Sequence, residues 1–488
     1  MGPVSRRADP LQYGKTFRPG SWIFRQKDFL GASAFRWRVV VPVLFLVGSG
    51  FVRPALAESP VPVTLGQSVM NLNGPWKFHL GDDPSWADPD FDDSTWESVD
   101  LTAPPGAHDE DVGLTGYVPG WGARGHLGYS GYAWYRLRVL VSEPGKEPLA
   151  LTGPPAVDSA YQVFVNGKLL GSAGRFSRQT PTVFSIQPRI FVIPRSLVAG
   201  DGIHPTVMAF RVWMGPWDLA DPSAGGIRIA PALGETQSID LIYQIQWLQT
   251  VRGYIVEVVE AVAFVLLAVM TCILIALARS RTVYIWLVLA LVLTAFYRAN
   301  QAVFFWGQFE TIHDFELVSE VLLIPSCLAA WTLAWHGWFL APGNGWMVRG
   351  VLGLTLLYVL AQCLTCSWFY GILPSWATTA SEFVIIWTRW LFVGLTAFIV
   401  YRGIGRQGTA GWIILPAVIL VSVGQFAPEL SGLGIQSIWF PFGTGVSRTQ
   451  FAYAAFDMVL FGLLLRRLLI VNRHARSVVC DAPNRGNA

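Results

Sequence analysis

The hydrophobic positions divide the chain into two unlike halves. From Ser59 to about Gln244, short β-rich runs such as Tyr161 to Val165, Ile190 to Ile193 and Val207 to Val212 are separated by Gly, Pro and Asp clusters. Short strands between regularly spaced turn signals predict an all-β sandwich. Asn166-Gly167, between Tyr-Gln-Val-Phe-Val and Lys-Leu-Leu-Gly, predicts a hairpin, because a type I′ turn needs positive φ at both central residues. Beyond residue 250 the pattern becomes seven apolar runs, at 255 to 278, 283 to 305, 317 to 339, 346 to 367, 383 to 402, 411 to 427 and 450 to 470. Their lengths lie near the ~20 residues that a helix needs to cross a bilayer, the sixth being the shortest.

Ahead of both halves, residues 39 to 52 form a shorter apolar run, preceded by Arg36 and Arg38 and followed by Ala55-Leu56-Ala57. Charge, apolar core and small residues in that order make a secretory signal, with cleavage expected after Ala57. The long basic leader keeps an uncleaved anchor as the alternative. The expected organisation is a signal with leader (1–57), an exported β-sandwich (60–245), a seven-helix transmembrane domain (250–472) and a short tail (473–488).

Composition and charge sharpen this reading. With 52% hydrophobic against 14% charged residues, part of the 488-residue chain must face lipid. The net charge is only +3, and Lys and Arg fall beside apolar runs rather than along one stripe, which argues against nucleic acid as a partner. Alternate helix connections carry the cations: Arg279 and Arg281, then Arg349, then Arg402 and Arg406, then Arg466, Arg467, Arg473 and Arg476. The remaining connections carry Glu310, Asp314 and Glu429, with Arg448 near a helix end. By the excess of cations on the inner side, this puts the C-terminus in the cytoplasm.

All five cysteines lie in the second half, so no disulfide is expected in the exported domain. Cys363 and Cys366 form a Cys-x-x-Cys at the end of an apolar run, without the βαβ context, second pair or nearby His that would signal redox or metal chemistry. Six Asp residues between Asp82 and Asp93 lack the Asp-x-Asp-x-Asp-Gly order and closing Glu of a calcium loop and read as a solvated turn. No cofactor is expected.

Ionisable groups within apolar spans are costly and mark function or partnered packing. Glu257, Glu260, Arg298, Glu320, Arg389 and Asp457 fall at comparable depth below one surface. They are expected to form a polar cluster beneath the sandwich, with Arg389 paired to Asp457 or Glu260. Two readings stay open: a cluster that feels displacement of the exported domain, or a static ion-pair network.

Gly74-Pro75-Trp76-Lys77-Phe78, Phe91-Asp92-Asp93 with Trp96, Tyr132-Ala133-Trp134-Tyr135-Arg136, and Asp158 followed by Val165-Asn166-Gly167 and Gly171 stand in one order along the first half. They resemble the sugar-binding jelly-roll domain of β-galactosidase-type glycosidases. The resemblance implies a jelly roll whose loops bind a carbohydrate or similar small molecule. In those enzymes catalysis resides in a separate barrel of some 250 residues, for which this sequence has no counterpart. The ligand-binding candidates are Tyr117, Trp121, His126, Tyr129 and Tyr132, in a Gly-rich loop before a strand. The competing reading has these aromatics packing on the sandwich end.

A sugar-domain-like sandwich followed by seven helices is similar to the bacterial seven-transmembrane receptors with diverse intracellular signalling modules. That resemblance implies a multi-pass protein of the bacterial inner membrane that senses an external, carbohydrate-like ligand and signals to a cytoplasmic effector. Only Val471 to Ala488 follow the last apolar run, so the effector is expected to be a separate protein or lost. Membrane lipid, the ligand and that effector are the expected partners, with a homodimer left open. A transporter or channel component with a carbohydrate-binding accessory domain is the alternative, although no inverted repeat is evident. An enzyme is not expected: His-Glu-x-x-His, Gly-x-Ser-x-Gly and P-loop patterns are missing, and Glu257 and Glu260 are too close in sequence to flank a glycosidic bond.

Overall fold

The computed structural model describes residues 69–481 except 110–113, 142–147, 179, 199–202, 279–280, 341–344, 370–371, 434 and 436–447. The expected signal at 39 to 52 and its cleavage after Ala57 lie outside these residues. The strands of the first half are β1 (Val69–Asn71), β2 (Trp76–Leu80), β3 (Glu97–Val99), β4 (Gly131–Val139), β5 (Leu149–Thr152) and β6 (Val157–Asp158). They continue with β7 (Ala160–Val165), β8 (Lys168–Ala173), β9 (Ile190–Val192), β10 (Thr206–Met214), β11 (Gly226–Ile227) and β12 (Ala232–Glu235).

Two antiparallel sheets organise this half, one in the order β1-β12-β5-β9 and one in the order β3-β2-β4-β10-β7-β8, beside a small β11-β6 pair. Alternation along the strands explains the layering. On β10, Met208, Phe210, Val212 and Met214 turn inward, and Tyr161, Val163 and Val165 of β7 join them. Leu151 and Leu233 from the other sheet complete the same core. The opposite side of the larger sheet is partly roofed by the Asp-rich stretch, where Trp86, Phe91 and Trp96 pack on Trp134 and Phe164. The aspartates there hold turns and ion pairs. Asp83 accepts from Ser85 N and Asp92 from Ser94 N, while Asp93 takes Arg136 at 2.8 Å and Arg138 at 2.6 Å.

The β7–β8 turn has φ of 45° at Asn166 and 78° at Gly167, as a type I′ hairpin requires. Asn166 Nδ2 donates to Leu197 O, and Asn166 Oδ1 accepts from Val207 N, both at 2.8 Å. Asn166→Ala removes both bonds and leaves in the left-handed region a residue without the short polar side chain that eases that conformation. It is expected to lower the stability of the full-length protein by about 1–2 kcal/mol, read from its thermal midpoint.

β12 passes directly into α1 (Thr236–Ala278), so the helix starts ahead of residue 245, where the sequence puts the end of the exported domain. There follow α2 (Arg281–Trp306), α3 (Ile312–Glu316), a π-turn at Leu317–Leu323, α4 (Ile324–Phe339), α5 (Gly345–Thr365) and α6 (Ser375–Gln407). Then come α7 (Thr409–Gln425), α8 (Ala427–Gly432) and α9 (Arg448–Asp481). Five helical stretches are long and apolar enough to cross a membrane by length and composition: Thr236–Leu277, Tyr284–Trp306, Ile312–Phe339, Gly345–Thr365 and Trp376–Gln407. Thr409–Gln425 is apolar but shorter, and α9, which carries Asp457 and two arginines within its apolar stretch, is not among the five. The π-turn ends two residues before Pro325, which lacks the N–H that an α-helical ladder requires. Pro416 lies inside α7.

The larger apolar core of the helices includes Phe264, Trp331, Trp335 and Phe456, and a second gathers Leu328, Tyr358, Ile385 and Phe392. The first turns of α1 pack on the four-stranded sheet, where Ile239 is buried with Ala150 and Ala232. Thr236 Oγ1 donates to Pro148 O at 2.7 Å. Sheet and bundle therefore share a helix.

Candidate functional site

The five aromatics of the Gly-rich loop do not form one open surface. Trp121 is 1% exposed and belongs to the sandwich core, so neither ring face is available to a ligand. Its burial follows from glycines that allow two loops to approach closely. Gly225 and Gly226 hold φ of 113° and 84°, and a β-carbon on either would strike the Trp121 or Tyr135 ring system. Tyr129 packs edge-on against Trp121 at 5.9 Å and donates its hydroxyl to Tyr132 O at 2.6 Å. His126 shares a hydrogen bond with Glu97 at 2.9 Å and lies against Phe78. Tyr117 lies beneath the Arg228 guanidinium, its hydroxyl accepting from Nη2 at 2.5 Å, while Nη1 of that arginine donates to Asp158 at 3.0 Å.

Tyr132 differs from the others, because β4 turns it onto the outer side of the larger sheet. There the Arg211 guanidinium lies 4.1 Å above its ring and 5.8 Å from that of Phe176. Arg211 grips Asp82 with Nε at 2.7 Å and Nη2 at 2.5 Å, and donates Nη1 to Gln162 Oε1 at 2.8 Å. Trp134 Nε1 also points to Asp82, at 3.3 Å. The result is a half-exposed surface in which a planar cation, a carboxylate and an amide are fixed between two aromatic rings. With Arg211 covering one face of Tyr132, the surface offers a ring-stacked cation beside oriented hydrogen-bonding groups, a combination that suits a ring bearing many hydroxyls. Asp82, Gln162, Phe176 and Arg211 escape a reading by sequence spacing, because Asp82 and Arg211 stand 129 positions apart.

This surface adjoins the joint between sheets and helices. Tyr132 pairs in register with Trp213 of β10, whose indole meets Trp217 at 5.5 Å. Trp217 contacts His313 of α3 at 4.8 Å, and His313 lies 5.0 Å from Trp368, at the end of the α5 segment. His313 Nδ1 and Ser367 Oγ share a hydrogen bond at 2.5 Å. Three further bonds cross the same joint: Ile312 N to Val183 O at 3.1 Å, Ser185 Oγ to Phe304 O at 2.6 Å, and Gln187 Nε2 to Phe305 O at 3.2 Å. Below Trp217, Asp218 accepts from Ser159 Oγ. Burial, reinforced by the neighbouring Asp158 carboxyl, pushes the Asp218 carboxyl up to about 8.

Within the bundle, Arg298 pairs with Glu260 at 2.7 Å and Glu257 at 3.3 Å. Arg389 makes its ion pair with Glu429, not with the Asp457 or Glu260 expected from the sequence. Its Nη2 meets Glu429 Oε2 at 2.7 Å and Gln425 O at 3.0 Å, and Nη1 donates to the Tyr358 hydroxyl at 3.2 Å. The reason is local: α7 ends at Gln425, and α8 with Pro428 in its first turn turns Glu429 back over the bundle. Glu320 accepts from Gln362 Nε2 at 3.3 Å, and Asp457 is half-buried on α9.

The protein is thus a membrane protein in which a β-sheet region is followed by a helical region with several apolar helices. No family model matches the chain, and no curated protein matches it. Among solved structures it is similar to a Bacteroides uniformis β-glucuronidase (22% identity over 34% of this chain and 18% of that one, TM-score 0.24). It is also similar to a glycosyl hydrolase family 2 member from Bacteroides cellulosilyticus (18% identity, 34% and 20% covered, TM-score 0.23). A third match is a Bifidobacterium dentium β-glucuronidase complexed with coumarin-3-O-glucuronide (21% identity, 30% and 20% covered, TM-score 0.19). The chain spans about a fifth of the length of these proteins.

Proposed function

We propose that the protein is a membrane receptor. An external jelly-roll domain senses a carbohydrate or similar polyhydroxylated ligand, and seven helices pass the signal to a cytoplasmic effector. In this reading the sheets lie outside the bacterial inner membrane and α9 ends in the cytoplasm. The observation that carries it is the continuous contact from Tyr132 through Trp213 and Trp217 to His313, which links a polar–aromatic sheet surface directly to helix ends. A β-domain serving only as a tether would need no such chain of contacts. The jelly-roll reading draws on the Trp76, Trp134 and Asn166-Gly167 sequence features. The orientation draws on the arginines of α6 and α9 at the ends far from the sheets, and on Trp346, Trp412 and Tyr401 standing exposed there like an aromatic belt.

The test uses the full-length protein in lipid nanodiscs and a panel of mono- and oligosaccharides. A true ligand raises the thermal midpoint saturably, because it binds the folded state alone. Arg211→Ala is expected to weaken that binding at least tenfold. Trp217→Ala is expected to preserve binding while removing the ligand-induced change in hydrogen exchange at Ile312–Glu316. A midpoint unmoved by every sugar rejects the carbohydrate reading, and a ligand that protects the sheets while leaving α3 unchanged in the wild type rejects the relay.

A further inference from the structure

The groups within the bundle are unequally matched in charge. Glu257 and Glu260 of α1 are 6% and 2% exposed, and Arg298 of α2 lies between them and Tyr453 of α9, 5.4 Å from that ring. One turn further along α9, Asp457 lies in the field of Glu260. Three carboxyls thus gather near one guanidinium, the cation that faces them among the described residues. Arg389, the other buried arginine, is engaged by Glu429.

A second observation comes from the individual oxygens. Glu257 Oε2, Glu260 Oε1 and Asp457 Oδ1 are all buried without a hydrogen-bond partner. Arg298 spends its Nε on Glu260 Oε2 and its Nη1 on Gln301, and its Nη2, 3.3 Å from Glu257 Oε1, makes no hydrogen bond, so this one guanidinium leaves all three oxygens unserved. An uncompensated carboxylate inside a bundle costs several kcal/mol, and three orphaned acceptors around one centre call for a positive charge. We infer that the space between α1, α2 and α9 binds a monovalent cation, either a proton or an alkali-metal ion, on Glu257, Glu260 and Asp457. Carboxylate oxygens are hard donors suited to either ion. The other titratable groups facing this space are Tyr297 and Arg298 of α2, Glu320 of the π-turn, Cys327 of α4 and Tyr453 of α9. The inference does not depend on what the β-domain binds.

The experiment compares the melting of the full-length protein in nanodiscs in Na+, K+ and N-methyl-D-glucamine at constant ionic strength and at several pH values. An alkali-ion site gives a saturable rise in midpoint with Na+ or K+ that Glu260→Gln and Asp457→Asn abolish. A proton site gives no difference between cations. Instead, the wild type at neutral pH shows an infrared band of a protonated carboxyl that is weakened in each variant and disappears at alkaline pH. Should the variants fail to assemble, binding of radioactive sodium and the infrared band can both be read on the wild type alone. Identical melting in all cations, with no bound sodium and no protonated carboxyl, overturns the inference.

Discussion

Arg389→Leu is expected to lower the stability of the bundle by on the order of 3–5 kcal/mol, because it strands the Glu429 carboxylate in a buried setting. Arg389 is 2% exposed, and the side chain of Glu429 is 9% exposed. The arginine also satisfies Gln425 O at the end of α7 and the Tyr358 hydroxyl on α5, so the loss reaches three helices. Arg389→Lys recovers little, since an ammonium cannot reproduce the two-pronged grip on Glu429. The double change Arg389→Leu with Glu429→Leu regains much of the loss, because no unpaired charge then remains. Thermal melting of the four proteins in nanodiscs measures this. Equal destabilisation in the single and double variants would show that packing around Arg389, rather than charge pairing, sets its contribution.

The second large effect concerns pH. With its carboxyl pushed to about 8 in the folded protein, Asp218 holds its proton where the unfolded chain has already released it. Its contribution to stability is therefore whole below about pH 4 and declines as pH rises from about 4 to about 8, reaching its floor above that. Between the two pKa values one proton separates the folded from the unfolded chain, a slope of about 1.4 kcal/mol per pH unit, and the partial exposure of Asp218 narrows the window over which it acts. Asp218→Asn is expected to flatten the decline between about pH 5 and pH 8 while leaving acid stability unchanged. Parallel slopes for wild type and variant would assign the pH dependence to another group. Because Asp218 sits in the turn that presents Trp217 to His313, the same ionisation is expected to loosen the joint.

What could be read from the sequence was local. Asn166-Gly167 specifies its turn through two adjacent φ values, and alternation on β10 sorts Phe210 from Arg211 without knowledge of the neighbouring strands. The apolar runs likewise locate the helices. What escaped was whatever depends on a distant partner. From the sequence Trp121 is either a loop aromatic that stacks on a ligand or one that packs on the sandwich end, and the approach of Gly225-Gly226 places it in the core. Asp82 looked like one of a run of solvated acids, whereas Arg211 makes it half of a fixed ion pair. With the sixth apolar run extending to residue 427, the sequence makes Glu429 a loop charge. The helix stops at Gln425, and that small difference converts a loop acid into the partner of Arg389.

The missing loop between β12 and α1 has a mechanical consequence. A helix of 43 residues is about 65 Å long and bends far less readily than a linker of the same length. Seated on the four-stranded sheet at one end and threaded among α2 and α9 at the other, α1 acts as an axle without a swivel. Any tilt of the sheets carries Glu257 and Glu260 with it, so the β-domain and the charged centre of the bundle turn as one piece.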